Sequence, residues 1–216
     1  MTGDSKMFIV EDSKNFGFCK GIVRGEPFCP KNNVAKINVQ IRNSRKNPKT
    51  KKYEINLFNF SVYGQEEMRV ISDACHDGDN VLVVYHLKDR FYVNKKTGVS
   101  TTYTEMIIDS IEKHGTVSEG RQPYINKGYF QGILLDAYEV PAAHGIYVVD
   151  MLRNNPETHV NEHFKFYAYG TLGEMIKQRF PKGKEAIVEY KLEKSKRENE
   201  DGKADYFVNC VIVNMT

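Results

Sequence analysis

The chain has 216 residues, enough for one large domain or two small ones. With 40% hydrophobic and 27% charged residues its composition is that of a globular protein, and a formal net charge of +3 is too small to argue for nucleic acid by itself. No apolar run is long enough for a membrane-spanning helix and no secretory signal is evident, so we expect no membrane partner. The four cysteines lie far apart, which predicts reduced thiols in the cytoplasm rather than disulfides or a zinc ribbon.

The first half of the chain has the apolar pattern of a β-protein with one helix. Strands are predicted over residues 35–42, 55–62, 81–85 and 101–111. Between the second and third of these, Met68, Ile71 and Cys75 recur at helical spacing. They predict a short helix over residues 65–75, which Gly78 terminates.

The second half repeats this order. Strands are predicted over residues 128–136, 145–152, 162–169, 186–192 and 206–213, with a helix over residues 172–180. Matching blocks recur between the halves at offsets that drift from 111 to 103: 17–22 with 128–133, 58–64 with 164–170, 83–88 with 188–193, and Tyr103 with Tyr206. Chance would rarely keep such blocks in order, so we interpret the chain as two copies of one unit.

Strand, strand, strand, helix, strand, strand is the order that suits the five-stranded OB barrel. We therefore predict an all-β fold with one short helix per unit, arranged as two tandem OB-fold barrels. The predicted organisation is a polar leader at residues 1–15, a first barrel at 16–113, a linker at 114–127 and a second barrel at 128–216.

The order of several short motifs resembles the single-stranded DNA-binding protein family. An aromatic residue precedes glycine at the end of a strand, in Tyr63-Gly64 and Tyr169-Gly170, and a short helix follows. Gly78-Asp79 then precedes an apolar strand, and a hairpin contains Lys-Thr-Gly. The resemblance covers most of residues 17–113 and, more loosely, 128–216, and it implies binding of single-stranded DNA.

Bacterial members of that family usually end in a flexible acidic tail that recruits replication and repair partners. This chain ends at its last predicted strand, so we expect tail-mediated recruitment to be absent and the form to be divergent, for instance from a phage or mobile element. The family typically assembles four OB units, which implies that a homodimer of this two-unit chain would suffice.

The first unit carries most of the positive charge. Residues 16–113 have 16 basic and 11 acidic side chains, whereas residues 128–216 have 11 and 13. Six basic residues and no acid lie in residues 42–52, between two predicted strands: Arg42, Arg45, Lys46, Lys49, Lys51 and Lys52. This run predicts a mobile basic finger that contacts a nucleic-acid backbone. The alternative is a solvated loop that keeps the protein soluble.

Strand alternation predicts which side chains face outward. Core positions are expected at Ile37, Val39, Ile41, Phe58, Phe60, Val62, Phe164 and Phe166. The outward candidates for nucleic-acid contact are then Lys36, Asn38, Gln40, Arg42, Asn59, Tyr63, Lys165, Tyr167 and Tyr169, with Ser61 on the same face. Basic and aromatic side chains in one row suit phosphate contacts beside base stacking, and the family resemblance implies stacking by Tyr63 and Tyr169. The alternative is that either tyrosine packs against a loop or the other unit.

The hairpin between the predicted fourth and fifth strands of the first unit combines cations with rings. Its candidates for nucleic-acid contact are Lys88, Arg90, Phe91, Tyr92, Lys95 and Lys96. This loop is one of the usual binding elements of OB barrels, and one of the two rings is expected to turn inward. The matching loop of the second unit, residues 191–203, mixes both charges and predicts a solvated tip.

Catalytic and metal-binding patterns are weak. His159 and His163 are four residues apart but have no obvious third ligand nearby. Neither a phosphate-binding loop nor a nucleophile elbow occurs in the sequence. We therefore expect no enzyme, no cofactor and no metal.

These observations predict a protein that coats and protects single-stranded DNA with little sequence preference during replication or recombination, in the cytoplasm of a bacterial or phage-infected cell. The expected partners are single-stranded DNA, replication or recombination proteins and a second copy of the chain. Two alternatives stay open. One is an accessory subunit that docks on a polymerase, primase or recombinase, and the other is an RNA-binding OB protein.

Overall fold

The structure is a computed structural model that describes residues 14–31, 35–47, 50–93, 98, 100–115, 124–141, 143–198 and 204–216. Within these residues the chain forms ten strands and two helices. In chain order they are β1 (Asn15–Val23), β2 (Lys36–Lys46), β3 (Tyr53–Tyr63), α1 (Gln65–Ala74), β4 (Asn80–Val93), β5 (Ser100–Lys113), β6 (Asn126–Glu139), β7 (Ile146–Asn154), β8 (Asn161–Tyr169), α2 (Gly170–Arg179), β9 (Glu185–Glu198) and β10 (Ala204–Met215).

Hydrogen bonding closes the strands into two barrels. The first has the order β1-β2-β3-β5-β4, with β4 returning to β1, and the second has the order β6-β7-β8-β10-β9, with β9 returning to β6. The β3–β5 and β8–β10 pairs are parallel, and the other pairs are antiparallel. The predicted all-β class with two tandem OB-fold barrels is therefore confirmed.

Alternating side chains fill the barrels as the sequence pattern predicts. Val39 and Ile41 of β2 are fully buried, as are Phe58 and Phe60 of β3. The helices add one buried isoleucine each to the common core, Ile71 from α1 and Ile176 from α2. In the second barrel the core is aromatic, with the Phe130 ring centroid 4.7 Å from that of Phe164 and 5.1 Å from that of Phe166.

The barrels are joined through β1 and β6, which pair antiparallel with Gly17 opposite Gly128. Each glycine packs against a fully buried tyrosine ring of its own barrel. A Cβ atom would lie 2.3 Å from Cζ of Tyr85 at Gly17 and 2.2 Å from Cζ of Tyr190 at Gly128. Because no side chain fits at such distances, the joint requires glycine at both positions.

A buried asparagine continues the hydrogen bonding of each barrel beside this joint. Asn15 Nδ2 donates to the carbonyl of Leu87 at 2.8 Å, and Asn15 Oδ1 accepts the Leu87 N–H at 3.0 Å. Asn126 makes the same two bonds with Leu192, at 2.7 and 2.8 Å. The sequence analysis places Asn15 in the leader and Asn126 in the linker, whereas both are strand residues related by the same offset of 111 as Gly17 and Gly128.

Two β-ribbons are longer than predicted. β2 continues to Lys46 and β3 begins at Tyr53, so part of the basic run 42–52 belongs to paired strands rather than to a mobile finger. β4 likewise continues to Val93, so residues 88–92 are strand and not loop. The alternation of apolar and polar residues does not predict these extensions. Two strands that extend beyond the barrel core stay paired through their backbone hydrogen bonds and need no alternating apolar face.

The double hydrogen bond of each buried asparagine can be tested by truncation. We expect Asn15→Ala and Asn126→Ala each to lower the free energy of unfolding by about 1–3 kcal/mol, because a buried N–H and carbonyl lose their partners. Urea denaturation followed by circular dichroism measures this. Asn161→Ala, at an exposed position, is the control, and equal effects in all three variants would contradict the assignment.

Candidate nucleic-acid interface

The outer face of β8 carries a row of polar and aromatic side chains. Burial alternates along the strand, with Phe164 and Phe166 inward and Lys165, Tyr167 and Tyr169 outward. The predicted orientation of this strand is therefore confirmed. Tyr169 is 41% exposed, which leaves much of its ring accessible to a base.

This row leads into a groove of about 670 Å³ between the two barrels. β5 lines one side of it and β7, β8 and β10 line the other, with Lys165 and Tyr167 among the lining residues. Three rings that the sequence analysis does not nominate are exposed here: Tyr103 at 47%, Tyr206 at 58% and Phe207 at 48%. The repeat is a usable signal, since it relates the exposed rings at the start of the two last strands, although strand pairing places Phe207 rather than Tyr206 at the position of Tyr103.

The β4 ribbon of the first barrel borders the groove by docking on β8 of the second. Lys88 Nζ lies 3.0 Å from Oε1 of Glu162, a carboxylate that is almost completely buried. The neighbouring Asp89 accepts the N–H of His163 through Oδ2 at 3.1 Å. Lys88 is thus an ion-pair partner in the contact between barrels, a role that the sequence analysis does not anticipate.

Three other nominated residues, Lys36, Tyr63 and Arg90, meet around one carboxylate of β5. Glu105 is buried, and its two carboxylate oxygens each pair with one cation. Lys36 Nζ pairs with Oε1, and Arg90 Nε lies 2.7 Å from Oε2. The hydroxyls of Ser61 and Tyr63 donate to Glu105 at 2.7 and 2.8 Å. The Arg90 guanidinium also lies over the Tyr63 ring, with Cζ 4.7 Å from its centroid. Ser61 is consequently buried, although its strand turns it outward. We call these five residues the Glu105 cluster.

The cluster fixes the charge state of its carboxylate. Burial acts to raise the pKa of Glu105, but hydrogen bonds from Lys36, Ser61, Arg90 and Tyr63 outweigh it and lower the pKa to about 2. Burial and the hydrogen bond to Glu105 raise the pKa of Tyr63 to about 12, so the phenol stays a donor at neutral pH. Two cations are therefore held against one permanent anion.

Among the described residues of the second barrel, no charged counterpart occupies the position of this cluster. Tyr169 takes the place of Tyr63, and the residue paired with it across the sheet is Ile146 where the first barrel has Lys36. Strand pairing places Ser195 at the position of Arg90 and Asn209 at that of Glu105, and Asn209 Nδ2 donates to Ser195 Oγ at 2.7 Å. Tyr169 therefore lacks the carboxylate and the cations that hold Tyr63.

Three of the remaining candidates, Asn38 and Gln40 of β2 and Asn59 of β3, lie along one outer face. Gln40 Nε2 donates to Asn59 Oδ1 at 3.1 Å, and the side-chain oxygen of Asn38 lies 3.1 Å from the Ser61 hydroxyl oxygen. Arg45 pairs with Glu54 at 2.9 Å. Other candidates differ in exposure: Arg42 is half-buried, while Lys51, Lys52 and Phe91 are exposed.

Some of the nominated residues cannot be placed. Lys49, Lys95 and Lys96 lie outside the described residues, as do the side chains of Lys46 and Tyr92. Within the part of the chain that the structure describes, no three His, Cys, Asp or Glu side chains form a group that could hold a metal ion. No helix among those residues is long and apolar enough to cross a membrane.

Comparison with known proteins identifies the fold. No protein-family model and no curated protein sequence matches the chain. Among solved structures it is similar to the wild-type single-stranded DNA-binding protein from Thermus aquaticus, with a TM-score of 0.66 and 13% identity over 94% of this chain and 92% of that one. A deletion mutant of the Thermus protein gives a TM-score of 0.63 and 15% identity over 94% of both chains. The resemblance to single-stranded DNA-binding proteins is thus confirmed at the level of the fold.

The low pKa of Glu105 predicts a specific acid sensitivity. The group has its ordinary pKa of 4.5 when unfolded and about 2 when folded, so its stabilisation, on the order of 3 kcal/mol, is complete above pH 4.5 and is lost as the pH falls towards 2. We expect Glu105→Gln to be less stable at pH 7 and to lose much of this pH dependence in urea denaturation. The control is Glu66→Gln on the exposed face of α1, and an unchanged pH profile in the Glu105 variant would contradict the assignment.

Proposed function

We propose that this protein binds and coats single-stranded DNA with little sequence preference, in the cytoplasm during replication or recombination, and that it is not an enzyme. The observation that carries the proposal is the groove between the barrels, where exposed rings from both last strands converge beside Lys165. Exposed rings beside cations suit a single strand because every base has a face that can stack and every nucleotide has a charge.

The two barrels contribute differently in this proposal. The second provides stacking surfaces, with Tyr167, Tyr169, Tyr206 and Phe207 on β8 and β10. The first provides most of the charge, through its ribbons and its net charge of +5 over residues 16–113. Such an arrangement recognises the backbone and the base faces rather than base edges, which favours binding without sequence preference.

The similarity of fold supports the same proposal. The Thermus aquaticus proteins are single-stranded DNA-binding proteins, and the shared architecture extends over 94% of this chain. We propose a homodimer as the working form, because the resemblance implies an assembly of four OB units. Sedimentation of the purified protein with and without oligo-dT measures the number of chains.

The first experiment is binding of a fluorescent oligo-dT over a salt series, with duplex DNA and RNA as competitors. Single-strand-selective binding that weakens steeply with salt supports the proposal, since each displaced counterion reports a phosphate contact. Preference for RNA would indicate an RNA-binding OB protein. Absence of binding at low salt would overturn the proposal and favour an accessory subunit.

Base stacking in the second barrel predicts a ranking of tyrosine variants. Tyr169→Ala should weaken oligo-dT binding by about 1–3 kcal/mol, because it removes one stacking ring. Tyr206→Ala should have a smaller effect, since Lys194 Nζ already lies over the Tyr206 ring, 4.1 Å from its centroid. Tyr63→Ala should cost less, since its ring already carries the Arg90 guanidinium.

Fluorescence anisotropy at fixed salt measures these affinities. The matched control is Tyr138→Ala, which removes an exposed tyrosine of β6 that belongs neither to the outer face of β8 nor to the groove lining. A larger loss for Tyr138→Ala than for Tyr169→Ala would contradict the assignment of the stacking surface.

A further inference from the structure

The cations of the first barrel differ in how firmly they are paired. Arg45 faces Glu54, whose side chain is 41% exposed, so water screens that pair and a phosphate replaces the carboxylate at little cost. The Glu105 carboxylate is 5% exposed and accepts from two cations and two hydroxyls. Because this carboxylate is buried, salt screens its ion pairs less than it screens the pair of Arg45 and Glu54.

The partners of Glu105 are nevertheless at the surface. The Lys36 side chain is 14% exposed and that of Arg90 is 34% exposed. Both lie beside Tyr63, at the position where the second barrel presents Tyr169. A phosphate that approaches this face of the first barrel therefore meets two cations that already share an anion.

The OB fold does not require this arrangement. The second barrel forms the same strands and helix with the uncharged Ile146, Ser195 and Asn209 at the positions of Lys36, Arg90 and Glu105. A buried carboxylate that the first barrel has at this position and the second lacks there is explained by a role outside the architecture.

We infer that Glu105 is an affinity-setting residue, which competes with the phosphates of a bound strand for Lys36 and Arg90. This inference rests on the proposed binding of single-stranded DNA. Glu105 holds the affinity of the first barrel below the value that its cations alone would give. A strand bound across both barrels is then released from the first barrel more readily than from the second.

The test is Glu105→Gln, which keeps the shape of the side chain and removes its charge. We expect binding of fluorescent oligo-dT to tighten about threefold to tenfold near 0.1 M salt, and the dependence of log Kd on log salt to steepen by about 0.7 for each additional phosphate that the protein neutralises. The matched control is Glu112→Gln on the same strand, which adds the same charge at a side chain that is 64% exposed. Its affinity should change less than twofold.

A double-mutant cycle with Lys36→Gln makes the inference more specific. The loss of affinity caused by Lys36→Gln should be larger in the Glu105→Gln background than in the wild type, because only there is the lysine released for phosphate. If Glu105→Gln does not fold, as judged by circular dichroism, Glu105→Met replaces the carboxylate by an apolar side chain of similar volume in the same measurements.

The outcomes separate the two claims. Binding by the wild type together with equal affinities and salt slopes for the Glu105 and Glu112 variants overturns the inference alone, and so does weaker binding by a folded Glu105 variant. No binding by the wild type overturns the proposed function and this inference with it.

Discussion

The close approach of β1 and β6 is the constraint on which the two-barrel arrangement depends. With glycine at positions 17 and 128, the strands pair directly over the buried rings of Tyr85 and Tyr190, and each barrel keeps its full core up to the joint. The pairing orients the barrels so that the β4 ribbon reaches β8, where Glu162 receives Lys88. The groove between the barrels is a product of this geometry, since its two sides come from different halves of the chain.

The halves share a backbone plan but differ in surface chemistry. The outer face of the first barrel is polar and charged, and its tyrosine is engaged by hydrogen bonding and by a guanidinium. The corresponding face of the second barrel is aromatic, with Tyr169 partly accessible. Backbone pairing and core packing account for what is common to the barrels, whereas the outward positions differ without changing either.

Much of the fold could be predicted from the sequence because its signals are local or repeated. Alternation predicts the inward rings of β8 together with the outward Lys165, Tyr167 and Tyr169, and the repeat predicts two barrels. The repeat offset of 111 also relates Asn15 to Asn126. A polar residue at the start of a strand has the sequence pattern of a loop residue, so its place in the strand becomes clear only from its hydrogen bonds.

The ion pairs and hydrogen bonds of Glu105 could not be predicted from the sequence, for a physical reason. Glu105 is 69 residues from Lys36 and 15 from Arg90, and their meeting depends on strand register and on closure of the barrel. An acidic residue on an outward position has the same pattern whether it is solvated or buried under neighbouring side chains. The exposure of Phe207 is not predicted either, because the adjacent Tyr206 is also exposed. Alternation cannot assign two consecutive outward residues.

Joining two barrels in one chain has a consequence for symmetry. In a dimer of identical single barrels every surface residue occurs twice about a twofold axis, and no change can be confined to one side. Here each half varies independently, and the Glu105 cluster occurs on one side only. A polymer with chemically distinct ends that lies across such a chain meets different surfaces in its two orientations, so the fused barrels have the means to distinguish 5′-to-3′ from 3′-to-5′.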